Sequence, residues 1–481
     1  MTTRFIGRKK ELERLTSLSS LKRPILAVIM GRRRIGKSRL AAEFGKDKIF
    51  IPFAGIAPVD GSTAQDQREA FARQFYSDFK IAPLSFNDWS DAFDNLTAKL
   101  TQKPTVILLD EISWMGYKDP LFIPKLKHWW DSSLQKFPNL TVILCGSVSI
   151  WIEENIIKST ALFGRVSLKI ALNELSLSES ATLLKKSGFK GSDYEIIKIL
   201  SVTGGIPWYL EQIDPKFSAD ENISRLFFDK MGLFYKEYEY IFHDLFENRG
   251  AIYSHIVEKL ASGIKSITQL KTETNYSNSG AFSKYMKNLV ISGFVDEHYS
   301  WSFKSGQKAR QVIYRLKDNY LRFYIKYLAP KVLSPNKNYD DISLENLPGW
   351  ATIIGLQVEN LLLNNRSQLI KLIGVSPSEI IADNPYQQKA TKALKGCQID
   401  YLIQTRAKNL YLCEFKFSRK EIEASAIESI KTKIKALKLP RGIGICPILV
   451  HISGVNDNVD SANFFYRIID MHDILNTSSD N

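Results

Sequence analysis

Residues 31–38 read Gly-Arg-Arg-Arg-Ile-Gly-Lys-Ser and fit G-x-x-x-x-G-K-[ST] without a mismatch. Such a loop binds phosphate. Gly31 and Gly36 let backbone N–H groups close around phosphate oxygens. Lys37 is spaced to reach the β- and γ-phosphates of a nucleoside triphosphate, and the Ser38 hydroxyl to hold Mg²⁺. Arg32, Arg33, Arg34 and Ile35 supply the remaining loop backbone. Arg39 stands in the following helix, whose N-terminus adds partial positive charge. A second group, Asp110 and Glu111, ends the apolar run Val106-Ile107-Leu108-Leu109. Asp110 is expected to hold Mg²⁺ through water and Glu111 to polarise the attacking water, which hydrolysis requires and mere binding does not. The third group follows Val142-Ile143-Leu144-Cys145-Gly146. There Ser147, with Ser149 as second choice, is a candidate γ-phosphate sensor and orienter of water; Gly146-Ser147 is also an ordinary strand-to-turn pair. Arg165, in Phe163-Gly164-Arg165, is a candidate for the γ-phosphate of its own or a neighbouring subunit, or else a solvated turn arginine.

These groups need strands behind them. Residues 24–30, 105–109 and 141–145 are short apolar runs, as expected of parallel strands buried on both faces. Residues 1–172 alternate such runs with amphipathic stretches, which predicts an α/β core. Ser176 and Glu179 stand three apart before an apolar-periodic segment, a predicted capping box opening a helical lid. The full chain of 481 residues has room for about two to four domains. It is 44% hydrophobic and 24% charged, ordinary for a globular protein. Its net charge of +14 favours a polyanionic partner, nucleic acid before a membrane surface, with a generally basic solvated surface as the plain alternative. The four cysteines are scattered, which argues against zinc and for a reducing compartment. A polar, charged N-terminus and the lack of any apolar run near ~20 residues predict a cytoplasmic protein without membrane spans.

Residues 1–215 resemble the archaeal-type ATPase family, in the signal-transduction branch of the AAA+-like P-loop NTPases. The likeness rests on Phe5-Ile6-Gly7-Arg8, the loop at 31–38, Leu109-Asp110-Glu111, Gly146-Ser147, Phe163-Gly164-Arg165 and Gly204-Gly205-Ile206-Pro207. It implies ATP as the cofactor with Mg²⁺, Phe5 and Arg8 near the adenine, and Pro207 approaching the nucleotide from the lid. No Asn/Thr-Lys-x-Asp run of the guanine-reading type is present.

Residues 216–330 show helical stretches and then Gly293-Phe294-Val295-Asp296, the outline of a winged helix. Ser283, Lys284, Lys287 and Asn288 share one face of its last helix, which is either a DNA contact or a solvated face. Residues 314–323 look like the segment leading, in many members of this family, into an extension similar to PD-(D/E)xK nucleases. In residues 331–481 Asp400 stands in one strand run, and Glu414 and Lys416 share a face of the next. A hairpin centred on Ala407 sets Asp400 opposite Glu414, a repulsive pair unless a metal lies between them. The resemblance adds Glu359, from the preceding helix, as a further metal ligand and gives Lys416 a catalytic role. Ile399, not Pro, precedes Asp400. A surface hairpin carrying ordinary charges is the plain alternative.

The expectation is four parts: an ATPase core at 1–172, a helical lid at 173–215, a winged helix at 216–330 and a nuclease-like α/β domain at 331–481. Its function would be an ATP-hydrolysing switch acting on DNA. Two alternatives are a nucleotide-dependent scaffold that binds nucleic acid or protein without cutting, and a sensor that homo-oligomerises on binding ATP.

Overall fold

Apolar runs dense in Val, Ile and Leu become fully buried strands. In the computed structural model, which describes residues 5–81, 85–147, 149–239, 241, 250–330, 343–388, 390 and 395–477, they build the first sheet. Its strands are β1 (Ile25–Met30), β2 (Ile49–Ala54), β3 (Thr105–Asp110), β4 (Leu140–Gly146) and β5 (Leu168–Ala171), in the order β2-β3-β4-β1-β5. All neighbours are parallel. β1 and β4 are buried at every position, as a sheet covered on both faces requires. Ile25, Ala27, Ile29, Ile143 and Leu168 share one apolar cluster with Ile35 of the phosphate loop and Leu40 behind it. Full burial of such aliphatic side chains is worth about 1.5–3 kcal/mol each. The loop is thus anchored by the core beneath it.

Packing divides the chain into two compact units, residues 1–174 and 175–481. The second begins with the helices Leu177–Lys186 and Asp193–Thr203. Ser176 and Glu179 do form a capping box at the first. A middle module follows: helix Gly250–Leu260, β6 (Lys265–Ser266), helices Ile267–Glu273 and Ser279–Ile291, β7 (Val295–Trp301) and β8 (Lys308–Leu316), with sheet order β6-β8-β7. The last sheet is mixed. β9 (Ile380–Gln388), β10 (Cys397–Thr405) and β11 (Asn409–Phe415) are antiparallel, while β12 (Gly444–His451) and β13 (Arg467–Asp470) continue it in parallel. A parallel β11–β12 pair needs a crossover, and helix Ser425–Ala436 supplies it. Helix Trp350–Asn364 precedes β9. Cys145, Cys397 and Cys413 are buried thiols.

The β7–β8 hairpin does not stand free. Trp301 and Phe303 share a core with Ile399, Leu402 and Leu412 of the mixed sheet. Trp301 Nε1 donates to Gln404 Oε1 at 2.5 Å, and Gln404 Nε2 to the Phe303 carbonyl at 2.8 Å. Residues 331–342, which follow the boundary expected at 330, lie outside the described residues.

Candidate active site

Gly31 is fixed by sterics. A Cβ there, at φ +150°, would come 2.5 Å from the Leu172 carbonyl oxygen and 2.6 Å from Ile35 Cδ1. Gly36 caps helix Lys37–Gly45 at φ 89°, so its demand is conformational. Between them Lys37 is 5% exposed and donates to the Gly31 carbonyl at 3.1 Å and the Arg32 carbonyl at 2.9 Å. Burial lowers its pKa, and the carboxylates of Glu111 and Asp110 act against that shift. A buried ammonium held by loop carbonyls is poised to exchange those partners for phosphate oxygens.

The sheet order explains the rest. β4 lies between β1 and β3, so the loop after β1, Asp110 at the end of β3 and Ser147 after β4 meet at the carboxyl ends of three adjacent strands. That end of an open α/β sheet is where ligands bind. The Ser38 hydroxyl donates to Asp110 Oδ2. Glu111, in the left-handed region at φ 48°, accepts at Oε2 from Ser147 N–H at 3.2 Å and Ser147 Oγ at 2.9 Å. In this structure Ser147 therefore holds the carboxylate of Glu111. The sequence had suggested that it senses phosphate and orients water. The side chain of Ser149 lies outside the described residues.

Arg8 is buried and donates from Nη2 to the Ile35 carbonyl at 3.1 Å, which ties the N-terminal motif to the loop. Phe5 packs on the same core. Arg32 pairs with Glu174 at 3.3 Å. Arg33 is exposed, while Arg34 and Arg39 are half-buried. Arg165 Nε and Nη2 form a bidentate pair with Asp131 at 2.7 and 2.9 Å. That pair holds the Asp131 carboxyl below its usual range. Sequence reasoning missed Asp131, which lies 34 residues from Arg165. Pro207 opens the short helix Pro207–Leu210 in the second unit.

In the mixed sheet Tyr401 lies opposite Cys413 and Leu402 opposite Leu412, the pairing that a turn centred on Ala407 predicts. Asp400 Oδ2 accepts from Phe415 N–H at 2.8 Å. Burial first, then the charges of Glu414 and Glu359, push the Asp400 carboxyl up to about 7. Glu414 is 3% exposed and clamped by two ammonium groups, Lys416 at 2.9 Å and Lys433 at 2.5 Å. Glu359 is raised by burial and lines a cavity of about 210 Å³ with Arg315, Arg322, Tyr386 and Gln398. Among the described residues no group of three or more His, Cys, Asp or Glu side chains is placed to hold one metal ion. Glu359, Asp400 and Glu414 thus do not form a ready metal cage. Lys433 had no sequence signal, since it sits on a helix of ordinary amphipathic character.

In the middle module Ser283, Lys284 and Lys287 are exposed, but Asn288 is buried and its amide donates to Tyr253 Oη at 2.7 Å. Asn288 therefore holds two helices together and is not available to DNA. Helical spacing alone put it on the exposed face, but it sits at that face's buried margin.

The first unit has the fold and site of a P-loop NTPase. Residues 5–213 match the family model described as an ATPase domain predominantly from Archaea, so this part of the chain is similar to archaeal ATPase domains. An uncharacterized protein of Methanocaldococcus jannaschii is 24% identical over 342 residues, which is 70% of this chain and 72% of that protein. Among solved structures, the Walker-type ATPase of Pyrococcus abyssi is similar at TM-score 0.46 and 16% identity, over 67% of this chain and 96% of its own. The Aeropyrum pernix ORC2 protein, solved in ADPNP–ADP complexes, is similar at TM-score 0.44 and 13% identity, over 69% of this chain and 98% of its own. Among the described residues no helix is long and apolar enough to cross a membrane.

Proposed function

We propose that the chain is a Mg²⁺-dependent ATPase switch whose output is a nuclease-like action of its C-terminal part on DNA. The observation that carries the ATPase half is the pair of contacts Ser38–Asp110 and Glu111–Ser147 beside the buried Lys37. The close packing at Gly31, where a Cβ would strike the Leu172 carbonyl, supports a loop backbone held in one shape for a phosphate chain. ATP with Mg²⁺ would supply a γ-phosphoryl group whose charge the cation spreads. The chain's own residues divide the remaining work. Loop N–H groups and Lys37 bind phosphate, Ser38 and Asp110 stand where a cation is needed, and Glu111 orients water while Ser147 fixes its carboxylate. ATP turnover by the purified chain, lost in Glu111→Gln, is the test. No turnover by the wild type removes this reading.

The nuclease half is supported by the strand frame: Asp400 and Glu414 on neighbouring strands, Lys416 two residues on, and Glu359 on the helix before them. The net charge of +14 suits a DNA substrate. Nicking of supercoiled plasmid with Mg²⁺ or Mn²⁺, with and without ATP, tests it; Asp400→Ala and Lys416→Ala should each abolish nicking. The lysine clamp on Glu414 and the lack of a ready cage favour a second reading, in which this part binds nucleic acid without cutting it. DNA binding with no cleavage under any metal or nucleotide condition supports that reading. Sizing with and without a non-hydrolysable ATP analogue tests whether binding ATP assembles the chain.

A further inference from the structure

The C-terminal carboxylates already have a cation, and the protein supplies it. Lys433, on helix Ser425–Ala436, reaches Glu414 Oε2 at 2.5 Å while Lys416 holds Oε1 at 2.9 Å. Both oxygens of a carboxylate that is 3% exposed are thus taken. Burial works against the charge on Lys433, and Asp400 and Glu414 together outweigh it. Mg²⁺ would need a Glu414 oxygen at about 2.0–2.1 Å. An ammonium left on that oxygen would then lie within about 5 Å of a divalent charge, in a site with little water to screen the two. One cation must leave. Lys416 is the more exposed of the two, at 37% against 23%, but the nuclease-like reading keeps it beside the attacked phosphate; Lys433 comes from a separate helix, and its flexible four-carbon stem can swing its partly exposed ammonium into water.

We infer that Lys433 is a built-in latch on this site: with its ammonium on Glu414 the carboxylates are neutralised and refuse a divalent cation, and metal enters only when Lys433 withdraws. This rests on the nuclease-like reading of Asp400 and Glu414 and adds the regulation of that site.

The test is Mn²⁺ titration of the full chain without nucleotide, read by calorimetry and by the electron paramagnetic resonance of free Mn²⁺. Binding that survives Asp400→Asn belongs to the phosphate loop and is subtracted. Lys433→Gln should tighten the Asp400-dependent binding at least tenfold, and Lys433→Arg, which keeps the positive charge, should leave it near the wild type. Unchanged Asp400-dependent binding in Lys433→Gln overturns the latch and leaves the nuclease-like reading standing. Absence of any Asp400-dependent binding in wild type and variants alike overturns both. Melting curves confirm that each variant is folded; the partial exposure of Lys433 makes loss of the fold by Lys433→Gln unexpected.

Discussion

At the scale of single residues, the ATPase site separates groups that bind from groups that react. The Glu111 carboxylate accepts its hydrogen bonds from Ser147 and acts on Lys37 only through its charge, so its loss should spare most of the binding. Glu111→Gln is expected to bind ATP within a few-fold of the wild type and to hydrolyse it about 10²–10⁴ times more slowly, the usual worth of a positioned general base. Ser147→Ala removes the hydroxyl bond to the carboxylate and leaves the one from the Ser147 N–H, so a smaller loss, on the order of tenfold, is expected. Steady-state hydrolysis paired with fluorescent-nucleotide binding distinguishes the two. Equal losses in both variants would mean that Ser147 does more than hold Glu111. The two loop glycines differ as well. Gly31→Ala drives a methyl group into the Leu172 carbonyl and should abolish nucleotide binding. Gly36→Ala has open space around it and meets only a backbone cost of about 1–2 kcal/mol in the left-handed region. Nucleotide titration of the two variants, with melting temperatures alongside, checks the order.

At the scale of elements, the middle module is fixed to the mixed sheet through buried polar contacts. His298 of β7 shows how. Arg315 Nε can only donate, and it faces His298 Nε2 at 3.0 Å, so that nitrogen carries no proton and Nδ1–H donates to Asn384 Oδ1 at 3.0 Å. The imidazole is neutral, and burial holds its pKa down to about 4 from an ordinary 6.5. The unfolded chain therefore binds a proton in a window where the folded chain does not. Stability from this contact is complete above pH ~6.5 and drains away as pH falls toward ~4, by an amount on the order of 3 kcal/mol. Thermal unfolding from pH 7 to 4 should show this fall, and His298→Gln should flatten it; equal slopes would assign the loss to other groups. On the neighbouring helix, under the proposed DNA-binding role, Lys284→Ala and Lys287→Ala should each lower the salt slope of DNA binding by about 1, while Asn288→Ala should cost about 1–3 kcal/mol of stability by removing the bond from its amide to Tyr253 Oη. These contrasts mark what the sequence could tell. The phosphate loop was legible because its chemistry is contiguous and its strand and helix flank it. The hairpin register was legible because a short turn fixes the pairing of the strands it joins. Lys433, 19 residues from Glu414, and Trp301, 103 residues from Gln404, were not. Those contacts depend on where packing brings distant elements together, and neither residue type nor local period encodes that.

At the scale of the whole molecule, the boundary of the family and the boundary of packing disagree in an informative way. The ATPase match runs to residue 213, yet packing divides the chain after Glu174. The helices at 177–186 and 193–203 therefore fall inside the family match by sequence and in the C-terminal unit by contact. Leu177 N–H donates to Asn365 Oδ1 at 2.9 Å, and Gln368 Nε2 donates to Ser178 Oγ at 2.8 Å. Tyr194 stacks on Phe417 with ring centroids 4.7 Å apart and planes 17° from parallel, and the Arg419 guanidinium lies over the same tyrosine. Phe417 directly follows Lys416, so a displacement of helix Asp193–Thr203 pulls on the strand end that carries the lysine. Two sites are coupled only through an element that both of them bias, and this helix meets that condition if ATP moves it. Tyr194→Ala removes the stack without touching a phosphate-loop residue. Under the proposed function, it should leave ATP turnover within about threefold of the wild type and erase the proposed effect of ATP on DNA binding or nicking. Gel-shift and nicking assays with and without a non-hydrolysable ATP analogue measure that effect directly. An ATP response in Tyr194→Ala equal to the wild type would show that the signal takes another route.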